Sequence, residues 1–122
     1  MCGIVGFTGV CDKSLLRKIN ESQVHRGPDD SGYYYDPRDV VSMAMRRLSI
    51  IDIFDGHQPM ISQDGSLCIV FNGEIVNAPA IRIELEKRGR KFITNHSDTE
   101  VLLHLYEVYG ENMLDHLEGM FA

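Results

Sequence analysis

The stretch MCGIVGF, Met1 to Phe7, decides how the rest of the chain is read. Ile4 to Phe7 is a short apolar run broken by Gly3 and Gly6. That is the pattern of a buried strand beginning almost at the amino terminus, which ties the start of the chain into a sheet. Just ahead stands Cys2, directly after the initiator methionine. Removal of Met1 would leave a thiol and a free α-amine on one residue. An α-amine has an unperturbed pKa of about 7.7–8.0, close to the ~8.5 of a free thiol. The amine can therefore act as base toward its own side chain, the logic of amino-terminal nucleophiles. A buried thiol at a strand start accounts for the same residue without chemistry, and this stretch alone leaves both readings open.

Outward from that strand, Asp12 is placed to cap a helix whose apolar positions Leu15, Leu16 and Ile19 fall at helical spacing as far as about Val24. Lys13, Arg17 and Glu21 mark its solvent face. HRGPDDSG, His25 to Gly32, is a shaped loop. Tyr33 to Tyr35 and Val40 to Met45 flank a turn and predict a hairpin. A second hairpin is signalled by Asp64-Gly65 ahead of Leu67 to Phe71, a run apolar enough for a central strand. Asn77 to Gly89 reads as a helix capped by Asn77 and stopped by Gly89. Ser97-Asp98-Thr99-Glu100 has the spacing of a capping box. Val101, Leu105 and Val108 then mark one helix face as far as Gly110. Glu111 to Glu118 predicts a further short helix, and Gly119 to Ala122 the start of a strand. No linker or repeat interrupts residues 1–122, so the expectation is one α+β domain with its strands in hairpins.

The chain has 122 residues and a formal charge of −6, with 43% hydrophobic and 25% charged residues, which excludes intrinsic disorder as the default. The acidic balance argues against nucleic acid or an anionic membrane as partner, and Arg88, Arg90 and Lys91 are too short a cluster to reverse it. No apolar run approaches the ~20 residues that cross a bilayer, and no secretory signal precedes Cys2, so a cytoplasmic protein is expected. Cys2, Cys11 and Cys68 fit neither a disulfide framework nor a CxxC site, and reduced thiols are expected. His57, His96, His104 and His116 form no zinc-like spacing, and there is no phosphate-binding GxxxxGK[ST] loop.

One further segment bears on chemistry. Asn72-Gly73-Glu74 follows the apolar run Leu67 to Phe71, placing a side-chain amide, a backbone N–H and a carboxylate at a strand end. An amide donor beside a glycine N–H can hold the oxyanion of an acyl-transfer intermediate. Asn-Gly is equally a common turn dipeptide, and the pattern by itself leaves the choice open.

The chain carries CGIVGF (Cys2 to Phe7), HRGPDDSG (His25 to Gly32), RLSIID (Arg47 to Asp52), GHQPM (Gly56 to Met60), FNGEI (Phe71 to Ile75), SDTEVLLHLYE (Ser97 to Glu107) and GMFA (Gly119 to Ala122). Together and in this order they resemble the glutaminase domain of glutamine-hydrolysing asparagine synthetase, a class II glutamine amidotransferase. Thr8 to Gln23, Tyr33 to Met45 and Ala78 to Lys91 match weakly, and Val76 stands where the family commonly has Tyr. Pro28-Asp29-Asp30 and Glu74 favour this branch over the phosphoribosyl-pyrophosphate and glucosamine-phosphate branches. The implied fold is that of amino-terminal-nucleophile hydrolases, an αββα sandwich of antiparallel sheets flanked by helices.

The resemblance also implies roles. Cys2 would attack the glutamine side-chain amide, its own α-amine shuttling the proton, while Asn72 and Gly73 hold the oxyanion. Arg47 would pair with the substrate α-carboxylate, Glu74 and Asp98 with its ammonium, and the backbone of Arg47, Leu48, Ser49, Ile50 and Ile51 would line the pocket. His25 and Arg26 would shape the loop beside the nucleophile, and Asp29-Asp30 would be structural. The domain itself would need no cofactor or metal. ATP and Mg would serve only a synthetase domain, which lies outside residues 1–122 and would receive the ammonia. On this reading the chain is the amino-terminal portion of the amidotransferase domain and does not make asparagine alone. Sheet edges left uncovered invite pairing with another chain, so a homo-oligomer is an open expectation. Two further readings stand: a non-catalytic module that binds glutamine or a partner, and an amidotransferase serving another acceptor.

Overall fold

The computed structural model describes residues 2–49 and 56–122. Strand β1 (Gly3–Thr8) pairs antiparallel with β3 (Val41–Arg47), which pairs on its other side with β2 (Asp30–Tyr35). The register sets Gly3 opposite Arg46, so Cys2 falls where β3 ends at Arg47. β2 begins at Asp30, so the last residues of the predicted loop belong to the ladder.

Helix α1 (Lys13–Ser22) is capped as expected, the Asp12 carboxylate accepting the Leu15 N–H at 2.9 Å. Its buried positions are Leu16 and Asn20, whereas Leu15 is 45% exposed. The Asn20 amide donates to the Met45 carbonyl at 3.2 Å and ties the helix to β3. Lys13 and Arg17 do not simply face solvent. They lie over the rings of Tyr35 and Tyr33, 4.8 and 5.5 Å from the centroids, where cation and π-face attract.

The second hairpin is shorter than the sequence implies. β4 (Met60–Ile61) pairs with β5 (Cys68–Ile69), and the run that reads as a central strand is laddered over two residues only. Its turn is closed by Asp64, whose carboxylate accepts Ser62 Oγ, Ser66 Oγ and Ser66 N–H, and these bonds pull its pKa down to about 2. β6 (Gly73–Ile75) then pairs antiparallel with β7 (Gly119–Phe121).

α2 (Ala78–Lys87) and α3 (Asp98–Tyr109) pack with β6 around Phe71, Ile75, Ile81, Leu85, Val101, Leu102 and Leu105. Ser97 caps α3, its Oγ accepting the Glu100 N–H at 3.4 Å. Glu100 does not complete a capping box. Its carboxylate accepts the N–H groups of Ile93 and Thr94, at 2.7 and 2.8 Å, and fixes the preceding loop to the helix. Asn77 likewise caps nothing with its side chain, which instead bonds His116 O and Glu118 N–H and holds the 3₁₀ turn Gly110–His116 against the start of α2. No helix among the described residues is long and apolar enough to cross a membrane. The three cysteines are free.

Between these bodies run Gly56 to Pro59, pressed onto β2 at Gly32. A Cβ at Gly32 would overlap the Gln58 carbonyl and lie 2.6 Å from Pro59 Cδ. Gly32→Ala is therefore expected to destabilise the fold by about 1–3 kcal/mol, the usual range for overpacking. The check is a lower urea midpoint at unchanged m-value; an unchanged midpoint would show that the seam gives way freely.

Candidate active site

Cys2, Arg47, Leu48, Asn72, Gly73, Glu74 and Asp98 all line one cavity of about 220 Å³. That is smaller than the ~300–1,000 Å³ of sites for drug-sized ligands and is the scale of a free amino acid. Ser49 does not join them: its N–H is taken by the Asp29 carboxylate at 2.8 Å, fixing the loop rather than lining the pocket. Ile50 and Ile51 lie outside the described residues.

Cys2 is held at the mouth of β1, half-buried, with its Sγ accepting the Leu48 N–H at 3.4 Å. The neighbouring loop is shaped by Arg46, which donates from Nε to the Gly27 carbonyl at 2.8 Å, and by the Asp29 N–H bonded to Arg47 O at 3.0 Å. Among the described residues the side chains of His25 and Arg26 contribute no such bond; both are exposed. Arg47 closes β3 and is 6% exposed.

The opposite wall is β6. Asn72 exchanges both main-chain bonds with Ala122, at 2.9 and 2.8 Å. In an antiparallel ladder such a pair alternates with one that makes no bonds, so the Gly73 N–H points away from β7. Ile75, two residues on, has the same orientation, and its N–H reaches the Asp98 carboxylate at 3.3 Å. The free edge of β6 therefore faces Asp98 and the cavity. Asn-Gly is here no turn. Glycine at 73 is a matter of room, since a Cβ there would lie 2.6 Å from Phe121 Cα. The Asn72 side chain makes no hydrogen bond among the described residues, and its buried Oδ1 has no partner. A side-chain amide that holds nothing in the fold is available to a ligand. Val76, the departure from the family pattern, is 70% exposed and lies outside the cavity wall.

Both signs of charge line the cavity: the Arg47 guanidinium and the Glu74 and Asp98 carboxyls. Burial pushes the Asp98 carboxyl upward, and the negative charge of Glu74 pushes it the same way, against the lowering effect of the N–H groups of Ile75 and Thr99. Two carboxylates at one end of a cavity favour a cation between them. Sequence reasoning gives no part in the site to Gln58, Ser97, Thr99, Phe71 or Met120, which also line the cavity.

The cavity thus gathers a thiol, an uncommitted side-chain amide, a glycine N–H turned from its ladder, a guanidinium and two carboxylates. Residues 1–122 match the family model described as a glutamine amidotransferase domain. The chain belongs to that family. It is 44% identical over 129 residues to asparagine synthetase [glutamine-hydrolyzing] 1 of Bacillus subtilis (strain 168), covering 100% of this chain and 20% of the relative. It is 42% identical over 129 residues to asparagine synthetase [glutamine-hydrolyzing] 2 of Oryza sativa subsp. japonica, covering 100% and 21%. The chain thus spans about a fifth of the length of these relatives. Glutamine phosphoribosylpyrophosphate amidotransferase from B. subtilis, solved with ADP and GMP, superimposes with a TM-score of 0.74 at 23% identity, covering 100% of this chain and 34% of that one. That likeness shows the fold, an α+β arrangement of helices and antiparallel sheets.

The raised Asp98 carboxyl has a consequence for stability. A carboxylate whose folded pKa lies above its unfolded value stabilises the fold when protonated and loses that contribution as pH rises through the folded value. At neutral pH the ionised group is a liability, and a neutral amide in its place would still accept the Ile75 N–H. Asp98→Asn is expected to keep or raise the thermal midpoint at pH 7, with the difference closing as the buffer is taken down toward pH 4. A clear loss at pH 7 would contradict this.

Proposed function

We propose that this chain hydrolyses the side-chain amide of L-glutamine to L-glutamate and ammonia through a thioester on Cys2. What supports this most directly is that the Cys2 thiol and the uncommitted Asn72 amide, built on separate sheets, line the same cavity. Arg47 pairs with the substrate α-carboxylate, and Glu74 and Asp98 with its ammonium. The α-amine of Cys2, free once Met1 is removed, takes the thiol proton as sulfur attacks the amide carbon. The Asn72 amide N–H and the Gly73 N–H receive the resulting oxyanion. The C–N bond then breaks and the nitrogen leaves as ammonia with the proton the amine had held. Water, deprotonated by the same amine, attacks the thioester, releasing glutamate and restoring the thiol. No cofactor or metal enters this sequence.

The ammonia goes to a synthetase domain or partner chain that makes asparagine from aspartate and ATP, with Mg needed only there. The cytoplasm, where thiols stay reduced, suits three free cysteines.

Glutamate release by Met1-processed protein tests the reading, with processing checked by intact mass. Cys2→Ala is expected to lower the rate by at least ~10⁴-fold, the scale of removing a nucleophile. Asn72→Leu should lower kcat by about 10²–10³-fold, as for loss of one oxyanion donor, with a much smaller change in KM. Equal rates for Cys2→Ala and the parent would remove Cys2 from the mechanism. Binding of glutamine without turnover would leave a binding module instead.

A further inference from the structure

Gln58 is 4% exposed and sits in the cavity wall, yet both ends of its side chain are committed to the fold. Its Oε1 accepts the Phe71 N–H at 2.6 Å, and its Nε2 donates to Thr99 Oγ1 at 3.2 Å. Phe71 N–H can only donate, so the amide orientation is fixed. Its main-chain carbonyl rests on Gly32 of β2, where no side chain would fit. Each contact reaches a different piece of the site. Phe71 directly precedes Asn72 and lies beyond the two-residue ladder of β5, so its buried N–H depends on this acceptor. Thr99 directly follows Asp98 in the first turn of α3.

We infer that Gln58 is the positioning residue that sets the distance between the oxyanion wall at Asn72-Gly73 and the ammonium-binding end at Asp98, bracketing both against the sheet that carries Cys2. Each polar end of Gln58 makes one bond within the fold, to Thr99 and to Phe71. It acts by holding two walls in register, and the inference rests on the hydrolase reading above. Loss of the Phe71 bond frees the segment that carries the oxyanion donors, which are used only once charge has developed, so the cost falls on kcat. Loss of the Thr99 bond frees the start of α3, which contacts the bound ground state as well, so the cost falls on KM.

Steady-state glutaminase kinetics on the Met1-processed protein test this, with active sites counted by covalent labelling of Cys2 with a diazoketone analogue of glutamine. Rates are taken per labelled site, which removes losses from partial unfolding. Gln58→Leu is expected to lower kcat/KM by about 10²-fold, the scale of a misplacement near 1 Å, mostly in kcat. Thr99→Val should raise KM for glutamine with a smaller effect on kcat, and Thr99→Ser, which keeps the hydroxyl, should restore it. An active parent with Gln58→Leu unchanged per site overturns the inference alone, as does Thr99→Val with an unaltered KM. The Thr99 pair keeps the test decisive if Gln58→Leu does not fold. A parent that neither releases glutamate nor labels at Cys2 overturns the hydrolase reading, and this inference with it.

Discussion

The paired main-chain exchange between Asn72 and Ala122 is the constraint on which the site depends. It fixes the phase of the β6–β7 ladder, and phase decides which N–H groups are consumed and which are offered. Shifted by one residue, the ladder would take up the Gly73 N–H and turn Asn72 outward. With the observed phase, the edge of β6 facing the cavity presents two N–H groups: Ile75 gives its own to Asp98, and Gly73 keeps its own available for a ligand. Glycine on both strands, at 73 and 119, allows the approach: a Cβ at either would run into the partner backbone.

Charge placement follows from where these walls end. β3 delivers Arg47 at its last position, beside the start of β1, so Arg47 lies next to Cys2. α3 delivers Asp98 at its first position, where the helix dipole favours an anion by about 0.3–1 kcal/mol. Burial outweighs that preference, since the Asp98 carboxyl is displaced upward. A helix start alone therefore does not account for an acid at this position. The fold carries a carboxylate displaced toward its neutral form, a displacement that a cation beside it would relieve.

Legibility divides along the range of the interactions. Asp12 on Leu15 and Ser97 on Glu100 are contacts between residues three apart, and both are plain from spacing. Side chains spent at long range do not show themselves that way. Glu100 completes no capping box because Ile93 and Thr94 need its oxygens more. Asn77 reaches across to His116 and Glu118 instead of its own helix. Apolar character marks Leu67 to Phe71 as buried, whereas only Phe71 is fully so and only two residues are laddered, the cover of this run coming from α3 rather than from further strands. Of the cavity, the charged and thiol-bearing residues are legible through the family resemblance. Gln58 stands within one of the shared motifs without a role, since nothing local tells a committed amide from a solvated one.

The arrangement also explains why polar bridges rather than packing carry the precision of this site. One apolar cluster lies between α2, α3 and β6, and Leu16, Ala44 and Met45 are buried at and around the three-stranded sheet. Apolar contacts are non-directional and tolerate small slides, so apolar packing alone cannot set the separation of Cys2 from Asn72 to the few tenths of an ångström that the proposed acyl transfer demands. Hydrogen bonds are directional and short. The Gln58 amide, the Asn72–Ala122 pair and the Arg46 bond to Gly27 are therefore the elements able to fix that separation. Their strength is highest where water is excluded, as at Gln58. The buried polar groups around this cavity are best understood as geometry set by hydrogen bonds, with stability left to the apolar packing beside them.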